Sequence, residues 1–414
     1  MVASEIRALF AVASRPEVVS LAGGMPYLNA LPLDAIGGLA HELVAQRGAA
    51  SLQYGSGQGD PVLRELICTV MELEGIEAVA DDIVVTVGSQ QGLDIVTRMF
   101  CDPGDVILAE APSYVGALGV FASYQAEVVH VAMDDDGLVP DALREALARL
   151  ERQGRRPKLL YTVPNYQNPA GVSLAVSRRD EIVEIAAKAG VLVMEDNPYG
   201  LLGFDEEPRL ALRARDAGNV IYLGSFSKTF APGLRVGWVL APPTVRQRLV
   251  LASEAAVLCP PTLNQYLVTE YLATQPWQQQ VKVFRDLYRE RRDATLAALT
   301  ELLPPGCRWT RPSGGFYVWL TLPPGLNSKT MAARAIQAGV AYVPGTGFYA
   351  DGSGAPHLRL SYCYPEPDRI REGVRRLAGV VEREIELAAV LGPAEPVERD
   401  PVTHPADVPG PETV

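Results

Sequence analysis

The fold is decided by the segment SFSKTFAPGLR, which occupies residues 225–235. It directly follows VIYLG at residues 220–224, an apolar run that predicts a short buried strand bounded by glycine. Lys228 therefore lies just beyond the end of a strand, at the sheet edge where α/β folds bind ligands. Ser225, Ser227 and Arg235 accompany the lysine in this segment. Two hydroxyls and a guanidinium are donors that suit a phosphate group.

A lysine beside a phosphate pocket has an evident chemical use, because its amine can form a Schiff base with pyridoxal 5′-phosphate (PLP). The alternative is an ordinary surface lysine in a loop, which is the commoner case for a lysine considered alone. The pattern of hydroxyls and arginine around Lys228 favours the PLP interpretation.

The length, composition and net charge of the sequence limit the class of protein. A chain of 414 residues can bury a large core and predicts two lobes, and its 48% hydrophobic and 21% charged residues are ordinary for a soluble enzyme. The net charge of -12 argues against nucleic acid as a partner, because no basic surplus neutralises phosphates. Five scattered cysteines and four histidines show no ligand spacing, which predicts reduced thiols and no metal site. Without a signal peptide or a membrane-spanning apolar run, we expect a cytoplasmic protein that binds no membrane.

Apolar runs alternate with helical patterns through the middle of the chain, as expected for an α/β fold with a parallel sheet. The run IVVTV at residues 83–87 predicts one strand, and Gly88, Ser89 and Gln90 then begin a helix. A glycine, a hydroxyl and an amide at a helix N-terminus can form an anion site with the free N–H groups. Ser89 could instead only cap the helix, but we favour phosphate binding because the lysine segment needs a shared partner.

Other polar residues follow predicted strands in the same series. Tyr114 comes after a strand at residues 105–109, Asn168 begins an NPAG turn, and Asp196 and Tyr199 follow the run VLVME. Each has an ordinary interpretation as a core aromatic residue, a turn or a buried polar group. A carboxylate at a buried strand end nevertheless costs free energy unless it is paired.

Three further segments are candidates for contact with a ligand. The GGMP run at residues 23–26 stops regular structure and lets Gly24 approach a ligand closely, although an ordinary turn has the same pattern. Tyr54 begins YGSGQG, whose glycine spacing fits neither the dinucleotide nor the Walker motif, so a nucleotide site is not expected. Arg359 lies between apolar neighbours in a predicted strand and is a candidate buried cation.

The lysine segment, extended to SFSKTFAPGLRVGW at residues 225–238, resembles the PLP-lysine segment of the class I/II aminotransferases of PLP fold type I. Its residue types and spacings are similar to those of the branch that contains 2-aminoadipate and kynurenine aminotransferases. The resemblance extends from about Ile6 to Tyr362. It implies an α/β fold like that of aspartate aminotransferase, with a mostly parallel seven-stranded sheet in a large domain and a smaller α+β domain.

The resemblance implies a role for each candidate around the cofactor. Lys228 would form the Schiff base, and Asp196 would pair with the protonated pyridine nitrogen. Tyr199 and Asn168 would act at the phenolic oxygen, and Tyr114 would stack on the ring. The residues implied to surround the cofactor phosphate are Gly88, Ser89, Gln90, Ser225, Ser227 and Arg235.

The resemblance also implies a substrate side and a second subunit. Arg359 would grip the substrate α-carboxylate through two parallel hydrogen bonds, with Gly24 and Asn168 beside the substrate. Tyr54 would reach the cofactor phosphate of the neighbouring subunit, so the active unit would be a homodimer. The chain differs from the family pattern at residues 27–32 and 259–261, which leaves the substrate side chain open.

Domain boundaries follow from the same resemblance. Residues 1–48 would join the small domain, residues 49–275 would form the large PLP-binding domain, and residues 276–391 would form the small C-terminal domain. Residues 392–414 are rich in proline and poor in apolar residues, which predicts a disordered tail.

The expected activity is transfer of an amino group from an L-amino acid to a 2-oxo acid through the Schiff base of Lys228. A PLP-dependent lyase or decarboxylase acting on a specialised amino acid is the alternative enzyme, because the same residues serve those carbanion reactions. A non-catalytic PLP-binding sensor domain of a transcription regulator is a third interpretation. It is disfavoured because the aminotransferase pattern begins within the first ten residues and leaves no room for a DNA-binding domain.

Overall fold

The computed structural model describes residues 15–391, so the predicted tail at residues 392–414 lies outside the described residues. The strands are β1 (Val19–Ser20), β2 (Ile83–Thr86), β3 (Val106–Ala111), β4 (Glu127–Asp134), β5 (Gly137–Leu138), β6 (Pro157–Thr162), β7 (Leu192–Asp196), β8 (Val220–Ser225), β9 (Gly237–Leu240), β10 (Arg308–Trp309), β11 (Tyr317–Thr321), β12 (Val340–Ala341), β13 (Val343–Pro344) and β14 (His357–Ser361). The α-helices are α1 (Leu33–Leu52), α2 (Pro61–Glu72), α3 (Ser89–Phe100), α4 (Val115–Ser123), α5 (Pro140–Arg152), α6 (Val176–Lys188), α7 (Pro243–Val257), α8 (Thr262–Thr274), α9 (Trp277–Leu302), α10 (Ser328–Gln337) and α11 (Pro367–Leu391).

The large sheet has eight strands in the order β2-β9-β8-β7-β6-β3-β4-β5. Strands β8, β7, β6, β3 and β4 are parallel to one another, whereas β9 is antiparallel to both of its neighbours. The expected mostly parallel sheet is confirmed, but the expected number of seven strands is wrong. The eighth strand, β5, has two residues and turns back on the end of β4. A strand of that length leaves no periodic signal in the sequence.

Apolar side chains cover both faces of this sheet. Neighbouring residues of β3 belong to different cores, since Ile107 packs into one hydrophobic cluster and Leu108 into another. Strand β6 repeats the alternation with Leu159 and Leu160. Because successive side chains of a strand point to opposite faces, helices pack on both sides. All of β8 is buried as well, so the lysine segment begins at the end of a strand inside the sheet.

A second, antiparallel sheet has four strands in the order β10-β11-β14-β13. In this small sheet, Trp319 of β11 lies opposite Arg359 of β14. The N-terminal segment joins the same part of the molecule, because β1 pairs in parallel with β12 and the Ser361 N–H donates to the Leu21 carbonyl at 2.7 Å. This attachment brings Gly24 to the ends of the large-sheet strands, where its carbonyl contacts Lys228.

No helix in residues 15–391 combines the length and the apolar character needed to cross a membrane. Within the same residues, no group of three histidine, cysteine or acidic side chains is arranged to hold a metal ion. All five cysteines lie in this part of the chain and are free thiols.

Candidate active site

A cavity of about 330 Å³ lies where the loops after β6, β7 and β8 face the small sheet. All predicted site residues line this cavity except Tyr54 and Gly88. The lining residues are Gly24, Met25, Ser89, Gln90, Tyr114, Val163, Asn168, Asp196, Pro198, Tyr199, Ser225, Ser227, Lys228, Pro232, Arg235, Tyr317 and Arg359.

A larger cleft of about 1110 Å³ lies between residues 204–207 and the start of α9. Exposed side chains such as Gln278 and Asp286 line it. It contains none of the buried carboxyl and amine groups found around Lys228, so we place the chemistry in the smaller cavity.

Lys228 lines the cavity just beyond the end of β8. Its Nζ atom donates a hydrogen bond to the Gly24 carbonyl oxygen at 2.8 Å. The pKa of the amine is lowered to about 8, chiefly by burial, with Arg359 and Arg235 acting in the same direction and Cys363 against it. The resulting neutral fraction near pH 8 makes Lys228 a nucleophile, as a Schiff base requires.

Asp196 ends β7, and its side chain is buried. Oδ2 accepts a hydrogen bond from the Tyr161 hydroxyl at 2.9 Å, but the buried Oδ1 has no hydrogen-bond partner among the described residues. Burial raises the pKa of this carboxyl to about 7, against the lowering effects of Tyr161 and Lys228. An unpartnered buried carboxylate oxygen is costly. It fits an N–H donor from a ligand, such as the protonated pyridine nitrogen of PLP.

Helix α3 provides free N–H groups at one end of the cavity. Gly88, with a φ of 73°, precedes it, and no side chain caps the helix. The alternative that Ser89 only caps the helix is therefore wrong, because Ser89 is the first helical residue. Gln90 Oε1 accepts a hydrogen bond from the Tyr114 hydroxyl at 3.3 Å, which ties the tyrosine to this helix start. With the positive end of the helix dipole, these groups form an anion site.

Arg235 adds a cation to the same anion site. Its Nη2 atom donates to the Val87 carbonyl at 3.1 Å. A Cβ atom on Gly88 would lie 2.4 Å from this Nη2 atom, and the φ of 73° also favours glycine at that position. The hydroxyls of Ser225 and Ser227 are 2.8 Å apart and line the cavity as well. This set of donors fits a phosphate group.

Arg359 lies on β14 and is 2% exposed. Nη1 donates to Asn168 Oδ1 and Nη2 donates to the Ala22 carbonyl, both at 2.8 Å. Both acceptors are neutral, and the buried Nε atom has no hydrogen-bond partner in the described part of the chain. A buried guanidinium held in this way is suited to a bound carboxylate.

Asn168 and Tyr199 reach the cavity from the loops that follow β6 and β7. Because Asn168 Oδ1 accepts from Arg359, its amide nitrogen is the group that can donate to a ligand. The Tyr199 hydroxyl donates to the Tyr317 hydroxyl at 3.4 Å. Burial raises the pKa of Tyr199 well above its usual value, so this residue stays a neutral donor.

Tyr54 does not line this cavity in the single chain. Its side chain is 76% exposed, and its backbone N–H donates to the adjacent Gln53 side chain. Gly24 does reach the cavity, through the carbonyl that accepts from Lys228.

Sequence reasoning misses two tyrosines of the site. Tyr161 lies on β6, beside β7, and its hydroxyl reaches Asp196. The signal in the sequence is weak, because one tyrosine hydroxyl in a strand that is buried along almost its whole length does not by itself point to Asp196. Tyr317 belongs to β11 of the small sheet, and nothing in its local sequence indicates that it faces the large sheet.

Comparisons with known proteins agree with this geometry. The family model of aminotransferase class I and II matches residues 17–377. Aromatic-amino-acid aminotransferase 1 of Thermococcus litoralis is 41% identical over 387 residues, which cover 93% of this chain and 93% of the relative. The 2-aminoadipate transaminase of Thermus thermophilus is 39% identical over 379 residues, which cover 91% of this chain and 93% of the relative.

A solved structure leads to the same family. The kynurenine aminotransferase of Pyrococcus horikoshii, in complex with PMP, matches with a TM-score of 0.89 at 38% identity, and the match covers 93% of this chain and 96% of that one. The expected fold, cofactor and transaminase activity are thereby confirmed. The chain belongs to the class I and II aminotransferases and is a PLP-dependent aminotransferase.

Proposed function

We propose that Lys228 is the catalytic amine of this aminotransferase and that Asp196, Asn168 and Tyr199 hold the cofactor ring. The observation that carries the proposal is the buried Oδ1 of Asp196, which has no hydrogen-bond partner within residues 15–391 and lies in the same cavity as Lys228. PLP, when bound, supplies the electron sink that accepts charge when a bond at the substrate Cα breaks.

Lys228 has two tasks in this proposal. Its Nζ atom would hold the cofactor, and the free amine would move the proton at the substrate Cα. The pKa of about 8 supports both tasks, because the amine gains and loses a proton readily near neutral pH.

The remaining cofactor contacts are assigned by their chemistry. Asp196 keeps the pyridine nitrogen protonated, and Tyr199 with the Asn168 amide donates to the phenolic oxygen. Tyr114, which lines the same cavity, would stack on the ring. The phosphate is held by Arg235, by the start of α3 and by the hydroxyls of residues 225 and 227.

On the substrate side, Arg359 binds the α-carboxylate and Gly24 lies beside the substrate. The other lining residues here include Met25, Val163 and Pro198, which are apolar. The three cations that line the cavity, Lys228, Arg235 and Arg359, all have assigned roles. We therefore propose an amino acid with an uncharged, aromatic side chain, in keeping with the name of the relative from Thermococcus litoralis.

The active unit is proposed to be a homodimer in which Tyr54 reaches the neighbouring cavity. Helix α1 supports this proposal, because only Leu43 and Ser51 of its length are buried in the single chain. Leu33 and Leu52 at its two ends are 56% and 69% exposed, and Leu52 is close in sequence to Tyr54. We expect a second subunit to cover this helix.

A cytoplasmic location and the predicted domain boundaries also remain proposals. The free thiols support a reducing compartment. The pairing of β1 with β12 supports assigning the N-terminal segment to the small domain.

The absorption spectrum of the holoenzyme tests the proposed reaction and substrate class together. L-phenylalanine, L-tyrosine and L-2-aminoadipate are added singly, without any oxo acid. We expect the aromatic amino acids to remove the yellow cofactor band and to yield one equivalent of 2-oxo acid per subunit. A response to 2-aminoadipate alone would contradict the substrate class, and recovery of the band with release of ammonia or carbon dioxide would contradict the reaction.

Mixing two inactive variants tests the shared site. In a mixed dimer of Lys228→Ala and Tyr54→Ala chains, one cavity combines an intact Lys228 with an intact Tyr54 from the partner. We expect the mixture, after subunit exchange at limiting PLP, to regain activity that neither variant has alone. If Tyr54 serves its own cavity, each mixed cavity stays defective and no activity returns.

A further inference from the structure

Tyr317 is a buried cavity residue that the roles above leave unused. It lies on β11 in the small sheet, is 2% exposed, and lines the cavity together with Tyr199 and Arg359. Its ring and its hydroxyl make separate contacts, so the two parts can be assigned separately.

The ring of Tyr317 packs against residues with established places in the cavity. The Arg359 guanidinium carbon lies 4.2 Å from the ring centroid, a cation–π distance. The Tyr199 ring meets it edge-on, with centroids 6.1 Å apart and an interplanar angle of 87°. The ring therefore helps to hold the carboxylate-binding arginine.

The hydroxyl of Tyr317 is tightly packed between Tyr199 and Gly24. It accepts from the Tyr199 hydroxyl at 3.4 Å. A Cβ atom on Gly24 would lie 2.0 Å from it, so the hydroxyl packs directly on the Gly24 backbone. The carbonyl oxygen of Gly24 accepts a hydrogen bond from Lys228. Burial raises the pKa of Tyr317, which keeps its proton available for donation.

A phenol has one proton to donate and two lone pairs with which to accept. If the Tyr199 hydroxyl donates its hydrogen bond to the phenolic oxygen of the cofactor, its own oxygen can accept a hydrogen bond from the Tyr317 hydroxyl, in the reverse direction of the present bond. We infer that Tyr317 is a positioning residue that donates to Tyr199 and strengthens the bond from Tyr199 to that oxygen. The inference rests on the role proposed for Tyr199.

The expected consequence is a shift in the acidity of the Schiff base of Lys228. Hydrogen bonds to the phenolic oxygen stabilise it as an anion and so lower the pKa of the imine. Linked hydrogen bonds strengthen one another by roughly 10–30%. Removing the Tyr317 hydroxyl should therefore raise the imine pKa. This rise should be only a small fraction of the rise caused by removing the Tyr199 hydroxyl.

The experiment is a pH titration of the cofactor absorbance in four holoenzymes: wild type, Tyr317→Phe, Tyr199→Phe and the double variant. We expect the imine pKa to rise by about 1–2 units in Tyr199→Phe, as for loss of one charge-assisted bond, and by about 0.2–0.5 units in Tyr317→Phe. The double variant should match Tyr199→Phe, because Tyr317 acts through Tyr199.

The matched control is Tyr342→Phe, which removes a buried hydroxyl that donates to the Ser328 carbonyl at 2.6 Å and does not line the cavity. It should lower the melting temperature without moving the imine pKa. Tyr317→Met, a second variant without a hydroxyl, should reproduce the shift if Tyr317→Phe folds poorly. The inference is overturned if removal of the Tyr317 hydroxyl leaves the imine pKa unchanged, or shifts it equally when Tyr199 is already phenylalanine. Absence of a cofactor band in wild type would instead refute the proposed role of Lys228.

Discussion

The cofactor side of the cavity, represented by Lys228, Asp196 and the start of α3, comes from the ends of β8, β7 and β2 in one sheet. The substrate side, represented by Gly24, Tyr317 and Arg359, comes from the N-terminal segment and the small sheet. The alternation of strands and helices along the chain positions the residues of the cofactor side. The substrate side forms only when segments that are distant in sequence pack together.

Hydrogen bonds join the two sides. Lys228 donates to the Gly24 carbonyl and Arg359 donates to Asn168, in both cases at 2.8 Å. The Tyr199 hydroxyl donates to the Tyr317 hydroxyl at 3.4 Å. Loss of the proposed catalytic amine on the cofactor side should abolish chemistry, whereas loss of the proposed carboxylate-binding arginine on the substrate side should mainly weaken substrate binding.

The largest expected effect is that of Lys228→Ala. Loss of the nucleophile and of the proton-moving group together should lower kcat by more than about 10³-fold. Single-turnover kinetics with a fixed amino acid measure it. Activity within tenfold of wild type would place the catalytic amine elsewhere.

Asp196→Asn should lower kcat by about 10²- to 10³-fold, because the neutral amide no longer keeps the pyridine nitrogen protonated. The matched control is Glu195→Gln, since the adjacent buried carboxylate accepts from the Leu212 and Arg213 backbone and does not line the cavity. That control should affect stability far more than kcat. Equal losses of kcat in both variants would mean that Asp196 only supports the fold.

Arg359→Met should reduce kcat/KM by about 10²-fold, mostly through KM, because two charge-assisted hydrogen bonds to the substrate are lost. Arg359→Lys keeps the positive charge but cannot donate two parallel hydrogen bonds, so it should recover part of the lost kcat/KM. Steady-state kinetics over a range of amino acid concentrations separate KM from kcat. A loss confined to kcat would contradict the division between the two sides.

The smallest effect concerns pH. The neutral amine of Lys228 is the form that attacks PLP, so its capture by the apoenzyme should quicken about tenfold per pH unit up to the pKa of about 8 and then level off. Stopped-flow absorbance at several pH values measures the rate. A rate that still rises beyond pH 10 would show that burial does not lower this pKa from the ordinary 10.5.

The cofactor side is predictable because each of its residues follows an apolar strand, and parallel strands end at a common edge. Asp196, Lys228 and Ser89 can thus be grouped from the order of strands and polar residues along the chain. Tyr317 cannot, since its place depends on how the small sheet packs against the large one. Tyr161 is hidden for a different reason, because its strand is buried along almost its whole length and one hydroxyl does not alter the pattern.

The number of strands in the large sheet is another feature that the sequence predicts only in part. The long apolar strands are evident from their composition, whereas β5 contributes two residues after a tight turn. Tyr54 is likewise 76% exposed in the single chain, and no local pattern in the sequence indicates what it contacts.

The most direct test of the central claim is to reduce the holoenzyme with borohydride and to locate the cofactor by peptide mass spectrometry. Reduction converts a Schiff base into a stable secondary amine, so the site of attachment survives digestion. We predict the phosphopyridoxyl group on the peptide that contains Lys228, and none on Lys228→Ala. Attachment to another lysine, or equal labelling of the variant, would contradict the account.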